Sequence, residues 1–351
     1  MRVVITGASG NVGTSVIRAL QGAGDVDEIL GLARRLPERS FDKVTWAQAD
    51  VTTADLEPHF RGADAVIHLA WLIQPSRDPA TLRRTNVEGS ARVFHAAGAA
   101  AVPTLVHASS VGAYSPGPKD RTVDESWPTG GIPTSAYARH KSEVERLLDR
   151  FEAECPKTRV VRLRPGLIFK REAASEIRRY FAGPLLPNPL LRRELIPVTP
   201  DTERLRFQAV HAHDVGEAYR LAAMDANARG AFNIAAEPVL DGALIADLFQ
   251  ARSLRVPRRV LRAAATATWR LRLQPTDASW LDLALESPLM DVSRARTELG
   301  WTPHRSAPEA LAELVEGMRL GEGMDTPPLA ARAGGPARLR ELASGVGART
   351  G

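Results

Sequence analysis

Cysteine is almost absent from this chain of 351 residues, in which Cys155 stands alone. A single cysteine excludes an intramolecular disulfide, and no cysteine–histidine spacing of a zinc finger is present, so we expect no metal. Long apolar runs are also missing, because no stretch approaches the roughly 20 residues that a membrane-spanning helix needs. The N-terminus passes from Met1 and Arg2 directly into VVITGASG and lacks the apolar core of a signal peptide. We therefore expect a cytoplasmic location.

Lysine is scarce as well, so nearly all positive charge comes from arginine. The five lysines are Lys43, Lys119, Lys141, Lys157 and Lys170. A net charge of +5 and a pI of about 9.7 could indicate a nucleic-acid partner. The arginines are spread along the chain, however, and no basic-aromatic RNA motif is present. We expect a small-molecule partner and no nucleic acid, in keeping with a composition of 44% hydrophobic and 25% charged residues.

One basic segment is amphipathic. Residues 255–273 read RVPRRVLRAAATATWRLRL. Such a helix could lie in a membrane interface, or it could cover the rest of the fold with its arginines in water. We favour the second interpretation and expect no membrane association.

The first half of the chain alternates short apolar runs with helical patterns. The predicted strands are RVVIT (2–6), EILGLA (28–33), VTWAQAD (44–50), AVIHLAW (65–71), PTLVHASS (103–110) and RVVRLRPGLIF (159–169). Strands that alternate with helices predict a doubly wound parallel α/β sheet with right-handed crossovers. The strands are apolar on both faces, as is typical of a sheet covered by helices on both sides.

The pattern changes after about residue 170. We predict a nucleotide-binding domain over 1–170 and a smaller substrate-binding lobe over 171–320 that is interleaved with the end of the sheet. Residues 321–351 form a tail rich in Gly, Ala and Arg, which we expect to contribute little to the core.

A glycine-rich loop separates the first strand from the first helix. Its sequence, VVITGASGNVG, has the strand–loop–helix context of a dinucleotide fingerprint with G-x-x-G-x-x-G spacing. One glycine permits the turn, one lets backbone approach the pyrophosphate, and one lets the helix pack on the strand. The phosphates would then lie at the helix N-terminus. The predicted cofactor contacts in this loop are Gly7, Ser9, Gly10, Asn11, Val12 and Gly13.

The end of the second strand bears on the choice of cofactor. An acidic residue there would favour NAD through the ribose 2′-OH, whereas arginine would pair with the 2′-phosphate of NADP. The sequence has Ala33 followed by Arg34 and Arg35. We predict NADP, with NAD as the alternative if both arginines are merely solvated. Asp50 and Val51, after the third strand, would flank the adenine.

A proton-transfer set is suggested by the stretch SAYARHKSEVERLL. Tyr137 and Lys141 are four residues apart and share one helix face. Ser110 follows the fifth strand, where α/β sheets place ligands. A phenol with a pKa near ~10 needs a nearby ammonium and the positive nicotinamide to become a base. Tyr137 would then be the general acid/base, and Ser110 would stabilise charge on the substrate oxygen.

These motifs resemble an extended short-chain dehydrogenase/reductase of the NAD-dependent epimerase/dehydratase family over roughly residues 1–310. The resemblance is carried by TGASGNVG, HLA, NVEGS, SSVGAY, YARHK, RLRPGLIF, VHAHDVGEA, FNIA and TELGWTP. It implies a Rossmann-type sheet with a smaller C-terminal lobe, commonly in a homodimer. It also implies that Ser110, Tyr137 and Lys141 are catalytic, and that Leu69, Ala70 and the backbone around Pro165 contact the cofactor.

Two departures from the family pattern bear on the substrate. Val111 and Gly112 stand where the family's 4,6-dehydratases carry an Asp-Glu pair, and RPGLIF lacks the Asn usual in nucleotide-sugar enzymes. The first departure disfavours a dehydratase of this type, and the second favours a less polar alcohol or ketone over a nucleotide sugar. Trp71, Ile73 and Tyr114 would then line its pocket, unless they are ordinary packing residues.

Three functions are consistent with these features. The first is an NAD(P)-dependent oxidoreductase, with NADP favoured, acting at a secondary alcohol or ketone. The second is a nucleotide-sugar epimerase with tightly bound NAD. The third is a non-enzymatic dinucleotide sensor, which the complete Ser-Tyr-Lys set argues against.

Overall fold

The computed structural model describes residues 1–74, 76–182 and 197–331. Its strands in chain order are β1 Arg2–Thr6, β2 Glu28–Ala33, β3 Val44–Gln48, β4 Ala65–His68, β5 Thr104–Ala108, β6 Thr122–Val123, β7 Arg159–Pro165, β8 Leu167–Phe169, β9 Val198–Asp201, β10 Arg206–His211, β11 Gly230–Ile234, β12 Ala236–Asp241, β13 Arg252–Arg255 and β14 Leu289–Met290.

Helices cover and connect these strands. They are α1 Asn11–Gln21, α2 Glu57–Phe60, α3 Pro79–Arg83, α4 Gly89–Ala99, α5 Ala136–Glu154, α6 Ala174–Ile177, α7 Ala212–Met224, α8 Gly242–Phe249, α9 Arg258–Arg270, α10 Ala278–Glu286, α11 Ser293–Glu298 and α12 Ala307–Leu320. Among the described helices, none is long and apolar enough to cross a membrane.

Seven parallel strands form the central sheet in the order β11-β7-β5-β4-β1-β2-β3. The chain moves outward from β1 to β3 and then returns to the opposite side of β1 at β4. This reversal opens a crevice at the carboxyl ends of β1 and β4, which is where doubly wound sheets bind ligands. The predicted Rossmann-type α/β class is confirmed.

The sheet is buried on both faces, and successive residues of β1 show how. Val3 and Ile5 pack with α1 and α7 on one side, whereas Val4 packs with α4 and α5 on the other. All three side chains are fully buried. Since strand side chains alternate between the two faces of the sheet, the side chains on both faces must be apolar. Each fully buried side chain stabilises the fold by about 1.5–3 kcal/mol by leaving water.

The predicted sixth strand is two strands in the structure. The chain turns at Gly166, whose backbone N–H donates to the Ile234 carbonyl at 2.9 Å. A Cβ at this position would lie 2.5 Å from the Gln208 carbonyl oxygen. The close approach of Gly166 to the Gln208 backbone lets β7 stay in the central sheet while β8 pairs with β10. Strand β8 thereby joins a second sheet, of order β12-β10-β8.

The second half of the chain contributes strands to both the central sheet and the smaller three-stranded sheet. Strand β11 is an edge of the central sheet, whereas β8, β10 and β12 form the smaller one. Two-stranded sheets join β13 to β9 and β14 to β6. The division near residue 170 stays a prediction, and the Pro- and Leu-rich residues 183–196 lie outside the described residues.

The amphipathic segment forms α9, which has no buried residue among its thirteen. Arg258 and Arg262 of this helix reach Asp282 of α10 at 3.1 and 3.2 Å. Most of the predicted tail, 332–351, lies outside the described residues. In its described part Leu329 is fully buried, and the small contribution of the tail to the core stays a prediction.

Candidate active site

The predicted site residues follow the carboxyl ends of the central strands. Because all seven strands are parallel, these ends share one edge of the sheet. The glycine loop follows β1, the two arginines follow β2, and Asp50 lies just beyond β3. Leu69, Ala70 and Trp71 follow β4, Ser110 follows β5, and Pro165 ends β7.

The glycine loop has the shape that a pyrophosphate needs. Gly7 has φ +73°, and a Cβ there would lie 2.7 Å from the backbone nitrogen of Ala70. A Cβ on Gly13 would overlap the Ala8 carbonyl. At Gly10 the space is open apart from the Gly7 carbonyl at 3.4 Å. Two glycines therefore shape the loop, whereas the third leaves the backbone accessible, as the predicted dinucleotide contact requires.

The N-terminus of α1 has polar groups available for an anion. Within the described chain, no side chain caps this helix at Gly10. The buried Oδ1 of Asn11 has no hydrogen-bond partner among the described residues. Ser9 is buried beside this turn, and Val12 packs against the core. Free N–H groups and the helix dipole favour a phosphate here, so these residues fit the predicted cofactor.

The adenosine end of the crevice is formed by the loops after β2 and β3. Ala33 is buried, whereas Arg34 and Arg35 are exposed. Asp50 accepts hydrogen bonds from the backbone N and hydroxyl of Thr52 at 2.8 and 2.7 Å. Val51 is buried in the same loop.

Tyr137 and Ser110 are brought together by α5 and the end of β5. Helix α5 is capped by Ser135, whose hydroxyl accepts from the Ala138 N–H at 3.3 Å. In the first turn of this helix Tyr137 lies beside Ser110, whose hydroxyl favours the ionised phenol and accepts from the Gly112 N–H at 3.0 Å. Gly112 permits this approach, because a Cβ there would lie 2.9 Å from Cε1 of Tyr137. An acidic side chain in place of Gly112 would therefore displace the tyrosine ring.

The ionisation of Tyr137 and Lys141 differs from the sequence argument. Burial raises the pKa of Tyr137 to about 12, and the neighbouring Ser110 hydroxyl only partly offsets this. Burial also lowers the pKa of Lys141 to about 7, against the charge of Glu145. Lys141 was expected to lower the phenol pKa of Tyr137, but it does not do so in this arrangement. The lysine is desolvated, and its Nζ lies 5.8 Å from the tyrosine ring centroid.

Beneath this pair, Glu145 continues the same helix face. It accepts a hydrogen bond from Ser109 at 2.5 Å and two from Arg164 at 2.8 and 2.9 Å. Burial alone would raise the pKa of Glu145, but Arg164, with Arg162 and Ser109, outweighs it and lowers the pKa to about 2. The charged network holds α5 against β5 and β7, and thereby orients the tyrosine and lysine above it.

Aromatic side chains surround Tyr137. Its ring centroid lies 6.1 Å from that of Trp71 in an edge-to-face arrangement and 5.4 Å from that of Trp280. Phe181 packs edge-to-face on Trp280 at 4.9 Å. Trp280 and Phe181 were not predicted from the sequence. The one available signal for Trp280 was the rarity of tryptophan, of which the chain has six. Trp280 lies in α10, more than 100 residues from Tyr137 in the chain, and Phe181 lies 44 residues from it.

The other predicted wall residues lie in different environments. Ile73 is 40% exposed. Tyr114 is fully buried, donates to Asn233 at 2.7 Å and accepts from Arg164 at 3.0 Å. For Tyr114 this favours the packing interpretation over a substrate contact. Pro165 is buried at the end of β7, paired with Ile234 of β11.

Sequence comparison identifies the family. The profile described as "NAD dependent epimerase/dehydratase family" matches residues 3–235. An uncharacterised protein of Mycobacterium tuberculosis is 27% identical over 330 residues, covering 93% of this chain and 31% of that protein. The chain therefore spans about a third of the length of the first curated relatives that it matches.

Two further relatives are similar over nearly their whole length. A ketoreductase of Stigmatella aurantiaca, named for 4-hydroxy-2-methyl-3-oxo-4-farnesyl-3,4-dihydroquinoline-1-oxide, is 26% identical over 92% of this chain and 98% of its own. The structure of a Thermus thermophilus UDP-glucose 4-epimerase with NAD is 22% identical, with a TM-score of 0.67 over 91% of this chain and 99% of that one. By its sequence match and its architecture, the chain belongs to the NAD-dependent epimerase/dehydratase family of extended short-chain dehydrogenases/reductases.

Proposed function

We propose that this protein is an NAD(P)-dependent oxidoreductase that transfers hydride at a secondary alcohol or ketone of a small, largely apolar molecule. The observation that carries the proposal is the placement of Tyr137 beside the Ser110 hydroxyl in a setting of aromatic rings. A phenol in this position can give a proton to a carbonyl oxygen or take one from a hydroxyl.

Each residue of the set has a separate role. Tyr137 holds the proton that moves, and the hydroxyl of Ser110 orients the substrate oxygen and stabilises its developing charge. Lys141, anchored to the Ala108 carbonyl at 2.7 Å, adds a positive charge to the site when it is protonated. The nicotinamide, when bound, supplies or accepts the hydride.

The aromatic walls support an apolar substrate rather than a nucleotide sugar. Trp71 and Trp280 place uncharged aromatic rings next to Tyr137. The absence of an acidic pair at Val111 and Gly112 argues against dehydration. The Stigmatella ketoreductase, which this chain covers almost completely, is named for a quinoline ketone with a farnesyl chain. A nucleotide-sugar epimerase is the second candidate, supported by the shared fold.

We further propose that the protein prefers NADP over NAD. This preference is supported by the exposed Arg34 and Arg35 beside the buried Ala33, where a carboxylate would otherwise select NAD.

The test uses the purified full chain and the variant Tyr137→Phe. We expect oxidation of NADPH or NADH with polycyclic aromatic ketones, lowered at least ~100-fold in the variant with cofactor affinity nearly unchanged. Tyr114→Phe is the matched control, which removes a buried hydroxyl and costs about 1–3 kcal/mol of stability while turnover stays within a few-fold. Interconversion of UDP-sugars with retained NAD, and no ketone reduction, would contradict the proposal in favour of the epimerase.

A further inference from the structure

Lys170 is a fully buried lysine in a chain that has only five. It follows β8 and reaches the first turns of α1. Its Nζ donates to the Asn11 carbonyl at 2.8 Å, to the Thr14 hydroxyl at 2.6 Å and to the Ser15 hydroxyl at 3.2 Å. The lysine thereby ties the second sheet to the helix that opens directly after the glycine loop.

This position is electrostatically unfavourable for an ammonium. The N-terminus of a helix carries partial positive charge, which favours anions and repels cations. All three hydrogen-bond partners of Lys170 are uncharged, and no described carboxylate lies within ion-pair distance of its Nζ. A buried charge without a counter-charge carries a large desolvation cost.

The surrounding charges leave this cost only partly offset. Burial, opposed by Glu172 and Glu176 and assisted weakly by Arg18, lowers the pKa of Lys170 to about 8. His213 of α7 also faces the lysine, and burial lowers the pKa of this histidine to about 4, so it is neutral near pH 8. An anion at the N-terminus of α1 would interact favourably with both the lysine and the helix.

We propose that Lys170 is a positioning residue for the pyrophosphate of the dinucleotide. It holds the first turns of α1 by three hydrogen bonds, so that the backbone N–H groups after Gly10 face the phosphates, and it places a positive charge behind them. The inference rests on the proposed dinucleotide site in the glycine loop.

The first experiment separates phosphate from nucleoside binding. Calorimetric titrations with ADP and with adenosine are made on the wild type, Lys170→Met and Lys119→Met. Lys119 is a matched control, since it is also buried and donates to two carbonyls, of Arg206 and Ala284, at 2.6 and 2.8 Å. We expect Lys170→Met to weaken ADP binding about tenfold and to leave adenosine binding unchanged. Lys119→Met should change neither.

The second experiment uses pH and needs only the wild type and Lys170→Arg. The protonated lysine favours the anion, so the wild-type Kd for ADP should rise from about pH 7.5 to about pH 9.5 as the lysine loses its proton. The terminal phosphate of ADP titrates near ~6, below this range. Arginine stays charged, so Lys170→Arg should bind ADP with a Kd that is flat over the same range.

The outcomes are distinct. A flat wild-type pH profile overturns the role of Lys170 even if Lys170→Met fails to fold. Equal loss of ADP and adenosine binding in a folded Lys170→Met overturns it too, because the effect would then be structural. If the wild type binds neither ADP nor NAD(P), the dinucleotide site itself is wrong.

Discussion

The Nζ of Lys141 lies 3.4 Å from the centroid of the Trp71 ring, within cation–π distance. The same atom donates to the Ala108 carbonyl at 2.7 Å. The lysine charge is therefore directed at an indole and a strand end, and Tyr137 owes its raised pKa to burial. Trp71 thus connects two parts of the site, because its ring contacts the lysine and also meets the ring of Tyr137.

The open space at Gly10 makes a selective test of cofactor binding. Gly10→Ala should fold normally, since φ −84° suits alanine and the added Cβ meets only the Gly7 carbonyl at 3.4 Å. The methyl group would occupy the path of the pyrophosphate, so we expect NAD and NADP affinity to fall about tenfold or more in fluorescence titrations. Gly24→Ala, in open surface, is the control. Undiminished affinity in Gly10→Ala would contradict the placement of the phosphates in this loop.

The arginines after β2 predict the cofactor preference. Arg34→Ala should weaken NADP binding about tenfold or more, because a charge-assisted hydrogen bond to phosphate is lost. NAD affinity should stay within about threefold, since NAD lacks the 2′-phosphate. Arg150→Ala, which removes an exposed arginine near the far end of α5, controls for net charge. Equal weakening of both cofactors would remove the basis for preferring NADP.

Trp280 predicts substrate specificity. Trp280→Ala should raise KM for an aromatic ketone about tenfold, as an aromatic contact next to Tyr137 is lost, and should leave the cofactor Kd unchanged. Trp269→Ala is the matched control, because this tryptophan lies in α9 and packs on Arg77 at 4.2 Å. If both variants raise KM by the same factor, the ring of Trp280 does not contact the substrate.

Glu145 predicts a pH dependence of stability. The pKa of Glu145 is about 2 in the folded protein, compared with 4.5 for a glutamate in the unfolded chain. Between pH 2 and pH 4.5 the unfolded chain therefore binds the proton more readily. The stabilisation from this carboxylate is complete above about pH 4.5 and is lost towards pH 2, by about 3 kcal/mol.

Denaturant unfolding of the wild type and Glu145→Gln measures this contribution. Near neutral pH the variant should be less stable by about 3–5 kcal/mol, because Arg162 and Arg164 lose their buried partner. At about pH 3 the difference should shrink, as the stabilisation from the wild-type carboxylate declines. A difference that does not change with pH would show that the charge of Glu145 does not stabilise the fold.

Much of the central sheet could be predicted from short-range patterns. The strands 2–6 and 28–33 have the predicted bounds, since apolar runs bordered by turn residues specify strands locally. The bend at Gly166 was not predicted, because nothing in RPGLIF shows that Gln208 will pass so close. The burial of Tyr114 likewise depends on Asn233 and Arg164, which are far away in sequence.

The sequence by itself determined the features that depend on spacing along one element. Glycines every third residue shape a loop, and Tyr137 and Lys141 share a helix face because a turn has about 3.6 residues. Only the tertiary structure decided what surrounds them: Trp280 beside the phenol, Lys170 behind the loop, and the burial that shifts the pKa values of Tyr137 and Lys141. Solvent exclusion and side-chain contact come from elements that are distant in the chain, so no local pattern encodes them.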